Sequence, residues 1–432
     1  MQSNGSLSIR RETWLKAHRY LALSVGFLFA LMGLTGSLNI YREEVDALLN
    51  PELVIDEPQG EYLPLDRIMA AVRAAHPDRH DSWTLEMPRS RAGVITAWYD
   101  KPRETIREVY APLMVFVNPY TADVIGSRFW GDTATTWLFD LHTQLQLDRF
   151  GRNAVGILGL LLIVSVSTGL YLWWPGLGRI RQSLALRHNA GLIRLSLDLH
   201  RAFGFFTAAV LLLLAFTGVH LVYPSVLETL TDSSGMGHDD EGPDIRSTAV
   251  PNDRPVSLAE AVLIARGPFP HAEVRRVTTP DGETGTYRIN LRRHGEANIK
   301  HPATMVWVDR WSGQIREVRN PNLFTDGQIL LSWMWPLHTG EAVGATGRLF
   351  WFLTGLAPFV LYVTGLLQWL YKRGWIPDLE LNVAALRPLP QVLAKKSYRL
   401  AIDFFRFMRL IGLGVMEWGI RIAKWGTQRN PD

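Results

Sequence analysis

The sequence predicts an α-helical membrane protein: a four-helix transmembrane bundle of two pseudo-repeats, two α+β modules outside the membrane, and a C-terminal amphipathic helix. Three observations carry this reading. Residues 20–41, 153–174, 202–223 and 349–371 contain no Asp, Glu, Lys or Arg. At ~1.5 Å per residue, each run is long enough to cross a hydrocarbon core of ~30 Å. The stretch Trp137-Leu138-Phe139-Asp140-Leu141-His142-Thr143-Gln144 returns as Trp333-Met334-Trp335-Pro336-Leu337-His338-Thr339-Gly340. Finally, the long segments after the first and third apolar runs carry helix and strand signals in the same order.

The repetition extends beyond that stretch. Gly151-Arg152 lies nine and ten residues beyond His142, and Gly347-Arg348 lies nine and ten beyond His338. Each Gly-Arg opens an apolar run containing a Thr-Gly pair, with Thr168 and Thr364 both 26 residues after their histidine. His18-Arg19 and His200-Arg201 head the other two runs, and Thr35-Gly36 and Thr217-Gly218 begin 17 residues after those histidines. Four apolar segments therefore carry four histidines in two matched pairs.

Taken in order, residues 1–19 form a basic arm and 20–41 the first helix. That run is too long for a signal-peptide core and has no obvious Ala-x-Ala site, so it reads as a retained helix. Residues 42–132 form a first external module, and 133–174 a histidine-bearing segment with helix 2. Residues 175–201 are a loop, 202–223 helix 3, 224–328 a second module, and 329–373 a second histidine-bearing segment with helix 4. Over 374–432, and most clearly at Tyr398–Trp425, apolar residues alternate with Arg and Lys, the pattern of an amphipathic helix in a membrane interface. Basic residues cluster before helix 1, in the 175–201 loop and after helix 4, which by the positive-inside rule places both termini in the cytoplasm and both modules outside. The net charge of +4 reflects that basic face and calls for no nucleic acid. With no cysteine there is no disulfide, cysteine-bound iron–sulfur cluster or thiolate-bound haem.

Within the first module, Leu65-Asp66-Arg67-Ile68-Met69-Ala70-Ala71-Val72 has helical spacing and ends at His76-Pro77-Asp78. Strand-like Val94–Tyr99 and Met114–Val117 follow, the latter entering Asn118-Pro119-Tyr120-Thr121-Ala122-Asp123. In the second module a helix begins near Ser257, and Met305-Val306-Trp307-Val308 enters Asp309-Arg310-Trp311-Ser312-Gly313-Gln314. These patterns resemble the PepSY module. Flanked by helices bearing His-Arg and Thr-Gly, they resemble the PepSY-associated transmembrane family of bacterial iron-regulated membrane proteins over roughly residues 10–373.

A pseudo-two-fold axis along the membrane normal would bring His18 to His200 at the inner face and His142 to His338 at the outer face. Facing histidines from two helices suit the axial positions of a haem iron. The spacing leaves other metals, such as zinc or copper, and a proton relay open. The resemblance implies two b-type haems, an inner one on His18 and His200 and an outer one on His142 and His338. His220, about 30 Å along helix 3 from His200, is an alternative outer ligand. Trp137, Trp333 and Trp335 are candidates for an interfacial belt or a substrate surface.

The resemblance further implies a ferric-siderophore reductase in the bacterial inner membrane, an oxidoreductase passing electrons from the cytoplasmic side to a periplasmic ferric siderophore. No Gly-x-Gly-x-x-Gly nucleotide fingerprint is present, so the donor is a separate reductase or quinol. Two alternatives use the same features: a peptide-binding or peptidase-regulating PepSY module on a membrane anchor, and a quinol-linked cytochrome with another acceptor.

Overall fold

The computed structural model describes residues 11–378, apart from 57, 59, 188–190, 234, 236–241, 249 and 251–253. The amphipathic helix expected in the tail lies outside the described residues. The helices that matter here are α1 (Arg11–Ile40), α2 (Arg42–Leu49), α3 (Leu65–Ala75), α4 (Ala134–Gln144), α5 (Asp148–Trp173), α6 (Leu192–Val222), α7 (Leu258–Arg266), α8 (Met334–Thr339), α9 (Gly344–Gly355) and α10 (Ala357–Lys372).

Among the described residues, four segments are long and apolar enough to cross a membrane: α1, α5, α6 and the span Glu341–Lys372. The chain is thus a multi-pass membrane protein. Phe27, Leu160, Val164, Phe216 and Leu353 point outward and exposed, as expected where lipid is the solvent. α1 packs against α5 and α10, and α6 packs against the same two helices, so α1 and α6 stand diagonally across the bundle.

Two boundaries differ from the charge-free runs. Helix α1 begins at Arg11, so Arg11 and Lys16 are already helical. The fourth span is interrupted between α9 and α10 at Leu356, two residues before Pro358. Proline lacks the N–H that would continue the ladder and crowds the preceding turn. The break coincides with a close crossing of α1. A Cβ on Gly33 would lie 2.4 Å from the Gly355 carbonyl oxygen, and Ser37 Oγ donates to Phe352 O at 2.9 Å.

Outside the membrane the strands form one eight-stranded antiparallel sheet in the order β4-β3-β2-β1-β5-β6-β7-β8. These are β1 (Thr84–Glu86), β2 (Ile95–Tyr99), β3 (Leu113–Val117), β4 (Val124–Phe129), β5 (Glu273–Thr278), β6 (Thr286–Arg292), β7 (Thr304–Asp309) and β8 (Ile315–Arg319). The two expected modules are therefore not separate bodies. They join through β1 and β5, with Leu85 opposite Val277.

The physical reason lies in a shared core. Ile68 and Val72 of α3, Ala261 and Ala265 of α7, and Leu85 and Val277 at the seam belong to one fully buried cluster. Burying that apolar area together stabilises both halves at ~25 cal/mol per Å². Asp66 of α3 also accepts from the first backbone N–H groups of α7, Leu258 at 2.8 Å and Ala259 at 3.1 Å. The opposite face of the sheet rests toward the membrane helices through Met114, Phe116 and Trp130, against which Phe139 of α4 packs.

Candidate functional site

His142 ends α4 and His338 ends α8. A Thr133–Thr136 capping box starts α4, and left-handed residues stop both helices: Leu145 at φ 51° and Gly340 at φ 77°. The chain then reverses into a membrane span with no room for a side chain at the turn. A Cβ on Gly151 would meet Gln144 O at 1.7 Å, and one on Gly347 would meet Gly340 O at 2.6 Å. The following arginines anchor the reversals to the carboxyl ends of other spans, where carbonyls lack helical partners. Arg152 donates to Leu221 O at 3.2 Å, and Arg348 to Ile40 O at 2.6 Å.

So held, the His142 and His338 rings face each other with centroids 6.3 Å apart and planes inclined at 44°. His18 and His200, on diagonal helices, line one cavity together with Phe29, Gly204, Leu211 and Tyr362. Its empty space is about 820 Å³, part of it open to the surroundings.

All four rings are fixed in the same manner. Thr35 Oγ1 lies 3.1 Å from His142 Nδ1, and Thr168 Oγ1 lies 3.2 Å from His18 Nδ1. Thr217 Oγ1 lies 2.9 Å from His338 Nδ1, and Thr364 Oγ1 lies 3.0 Å from His200 Nδ1. Each threonine hydroxyl also donates back to its own helix, at 2.6–2.8 Å to Leu31, Val164, Leu213 and Val360 carbonyls. A hydroxyl has one proton. With that proton committed to the carbonyl, its lone pair accepts from Nδ1–H. For His18 the carbonyl of Ser165, 3.1 Å from Nδ1, imposes the same tautomer, because a carbonyl only accepts. Nε2 of each histidine is then a lone-pair donor, the form that binds metal.

The glycine after each threonine makes room for the ring. A Cβ would approach His Cε1 to 2.7 Å at Gly36, 3.1 Å at Gly169, 3.1 Å at Gly218 and 3.4 Å at Gly365. The Thr-Gly pairs are thus seats for histidines, a role their spacing alone did not reveal.

The spans and the sheet between them have a counterpart as a whole. The family model described as the PepSY-associated TM region matches residues 15–372. The chain belongs to that family. No curated protein matches the chain.

Within this PepSY-associated TM chain, His220 is buried on α6, one turn beyond Thr217, and lies outside the facing pair. Trp137 is exposed and Trp333 half-buried. Trp335 stacks edge-on against His301 of the sheet domain, centroids 5.1 Å apart. The sequence alone assigned His301 no such contact. Trp130 Nε1 donates to the buried Asp140 at 2.9 Å. Burial pushes that carboxyl up to about 6, with Trp130 and Arg42 opposing the shift.

Among the described residues, no group of three or more His, Cys, Asp or Glu is arranged to hold a metal ion. A two-histidine set falls short of the three or four protein ligands zinc ordinarily takes. It suits a metal that arrives with an equatorial ring of its own. His142 and His338, each with Nδ1 held by a threonine, would present their Nε2 atoms to such a group.

Proposed function

We propose that this chain is a dihaem membrane oxidoreductase that carries electrons from the cytoplasmic side of a bacterial inner membrane to a periplasmic ferric siderophore. The observation that carries the reading is the facing of His142 and His338 at 6.3 Å, each with Nδ1 committed to a threonine. His18 and His200 would hold the inner haem and His142 and His338 the outer one. Bound there, a b-type haem supplies one-electron redox chemistry.

The protein's own part is positioning. Threonines from partner helices fix the tautomer, glycines admit the rings, and the Gly-Arg reversals lock α4 and α8 against the ends of α6 and α1. The two ligand levels are set by the 17 residues between His18 and Thr35 and between His200 and Thr217, about 25 Å of helix. Phe29, buried on α1 and lining the inner cavity, lies within that interval. Trp335, three residues before His338, packs on His301 of the sheet domain, which in this reading derives from two PepSY-like modules and frames the substrate surface with Trp137, Trp333 and Trp335. Iron reduced to Fe(II) is held less tightly by hard oxygen chelators, which releases it.

The test is a reduced-minus-oxidised visible spectrum with pyridine haemochrome quantification on the purified full chain and on His18→Ala and His338→Ala. Two b-haems per chain, with each variant losing mainly one, is the expected result. A protein that stays colourless when expressed with ample haem would overturn the reading. Ferric-siderophore reduction by the dithionite-reduced protein then distinguishes this acceptor from others served by a quinol-linked cytochrome.

A further inference from the structure

Between the sheet and the ends of α4 and α8 lies a cluster of charges that the histidine seats do not use. Lys300 Nζ stands 3.7 Å from Glu43, and Arg89 reaches both Glu43 at 3.3 Å and Glu341 at 3.7 Å. Arg276 of β5 pairs with Glu86 of β1 at 3.0 Å. Arg42 stacks over Trp130 and Phe139, 5.1 and 5.4 Å from the ring centres.

Each edge of the cluster touches a helix that presents an outer histidine. Phe139 precedes His142 by one turn of α4, and Glu341 follows His338 by three residues. His301, next to Lys300, packs on Trp335, three residues before His338.

The charges do not balance. Arg275 is paired with Glu273 at 3.2 Å, but Arg42, Arg89, Arg276 and Lys300 still outnumber Glu43, Glu86 and Glu341 by one, and excess charge in a partly desolvated site is costly without a counterion. Burial, and then Arg42 beside it, pushes Lys300 down to about 8 despite Glu43 and Glu86. The Nε atom of Arg276 and Oε2 of Glu341 are buried with no hydrogen-bond partner. The site still borders solvent, since the Lys300 side chain is 15% exposed and that of Arg89 32%.

We infer that this cluster is a receptor for an anionic ligand presenting two or more carboxylate or phenolate oxygens at the sheet end of the outer histidine pair. The two sources of such oxygens rest on the function proposed above: the carboxylates of the cofactor held by His142 and His338, or the anionic arms of a ferric chelate. Guanidinium forks and an ammonium converging from the sheet, the connecting loops and α2 suit either.

The experiment uses the detergent-purified full chain with Lys300→Gln, Arg89→Gln and, as a charge-keeping control, Lys300→Arg. Two redox-inert probes are titrated by calorimetry: an anionic gallium(III) tris-catecholate and a gallium(III) trihydroxamate without anionic arms. Haem per chain and the midpoint potentials are measured in parallel. If the chelate is the ligand, the tris-catecholate binds and Lys300→Gln weakens it about tenfold, as for loss of a charged hydrogen bond. Added salt then weakens it too, and haem content is unchanged. If the cofactor's carboxylates are the ligand, both Gln variants lower haem content or shift one potential, and Lys300→Arg restores it. Lys300-dependent binding of the tris-catecholate by a haem-free protein would sink the proposed function but support this site. Unchanged chelate binding, haem content and potentials in both Gln variants would overturn the inference.

Discussion

Thr217 Oγ1 lies 2.9 Å from His338 Nδ1, although the two residues are 121 positions apart in the chain. The same hydroxyl donates to Leu213 O at 2.8 Å, so the contact fixes a proton on Nδ1 and leaves Nε2 as the donor atom. Thr217→Val keeps the shape and deletes the acceptor. Loss of such an outer partner typically lowers metal affinity 10–100-fold. Haem titration should show that loss at one site, with Thr217→Ser retaining affinity near the parent. An equal response from Val and Ser would contradict the hydrogen-bond role.

The glycines beside the threonines should give a graded series. The room for a methyl is least at Gly36, where a Cβ would stand 2.7 Å from the His142 ring, and greatest at Gly365, at 3.4 Å from His200. Gly36→Ala is expected to perturb the low-spin spectrum most and Gly365→Ala least, with Gly169→Ala and Gly218→Ala between. A series without that order would mean that the glycines serve helix packing instead.

The acid response of the sheet domain should be set partly by Glu86. Burial alone would push this carboxyl up, but Arg276, and then Lys300, Arg89 and Arg275, outweigh it and leave it at about 2, below the ordinary 4.5. A depressed folded value means stability that is full above the ordinary value and is lost as pH falls from about 4.5 toward 2. Thermal unfolding followed by tryptophan fluorescence should show this slope in the parent. In Glu86→Gln stability at pH 7 should be lower and that portion of the slope absent.

Asp66 tests the coupling between the halves of the sheet. Its two oxygens accept from Leu258 and Ala259 at the start of α7. Asp66→Ala should cost about 0.5–2 kcal/mol, the range for a lost helix cap. It should destabilise β1–β4 and β5–β8 together. Hydrogen exchange that speeds up in one half alone would show the halves to be independent.

The sequence made the histidines and their pairing legible because fixed spacing survives in a linear text. It hid which threonine serves which histidine. Thr168, 26 residues after His142, lies at the far end of α5 and holds His18 instead, while His142 is held by Thr35, 107 residues before it. A membrane-length helix separates each histidine from the threonine that its spacing marks, so the true partners come from neighbouring helices. The seam between β1 and β5 was likewise invisible. Thr84-Leu85-Glu86 is too short a strand to announce itself, and its partner lies nearly two hundred residues away. Lys300 carries no local signal, since its surroundings come from α2, β1 and β5.

The pairing of β1 with β5 also imposes an order on how the protein is made. β5 reaches the sheet only after α5 and α6 have recrossed the membrane, so for that interval β1 is the open edge of a half-built sheet. An unpaired edge is a template for the wrong neighbour, and the protein is exposed to that hazard during every round of synthesis. A chain stopped after α5 is therefore left with an unclosed sheet and does not yield a smaller working version of the molecule.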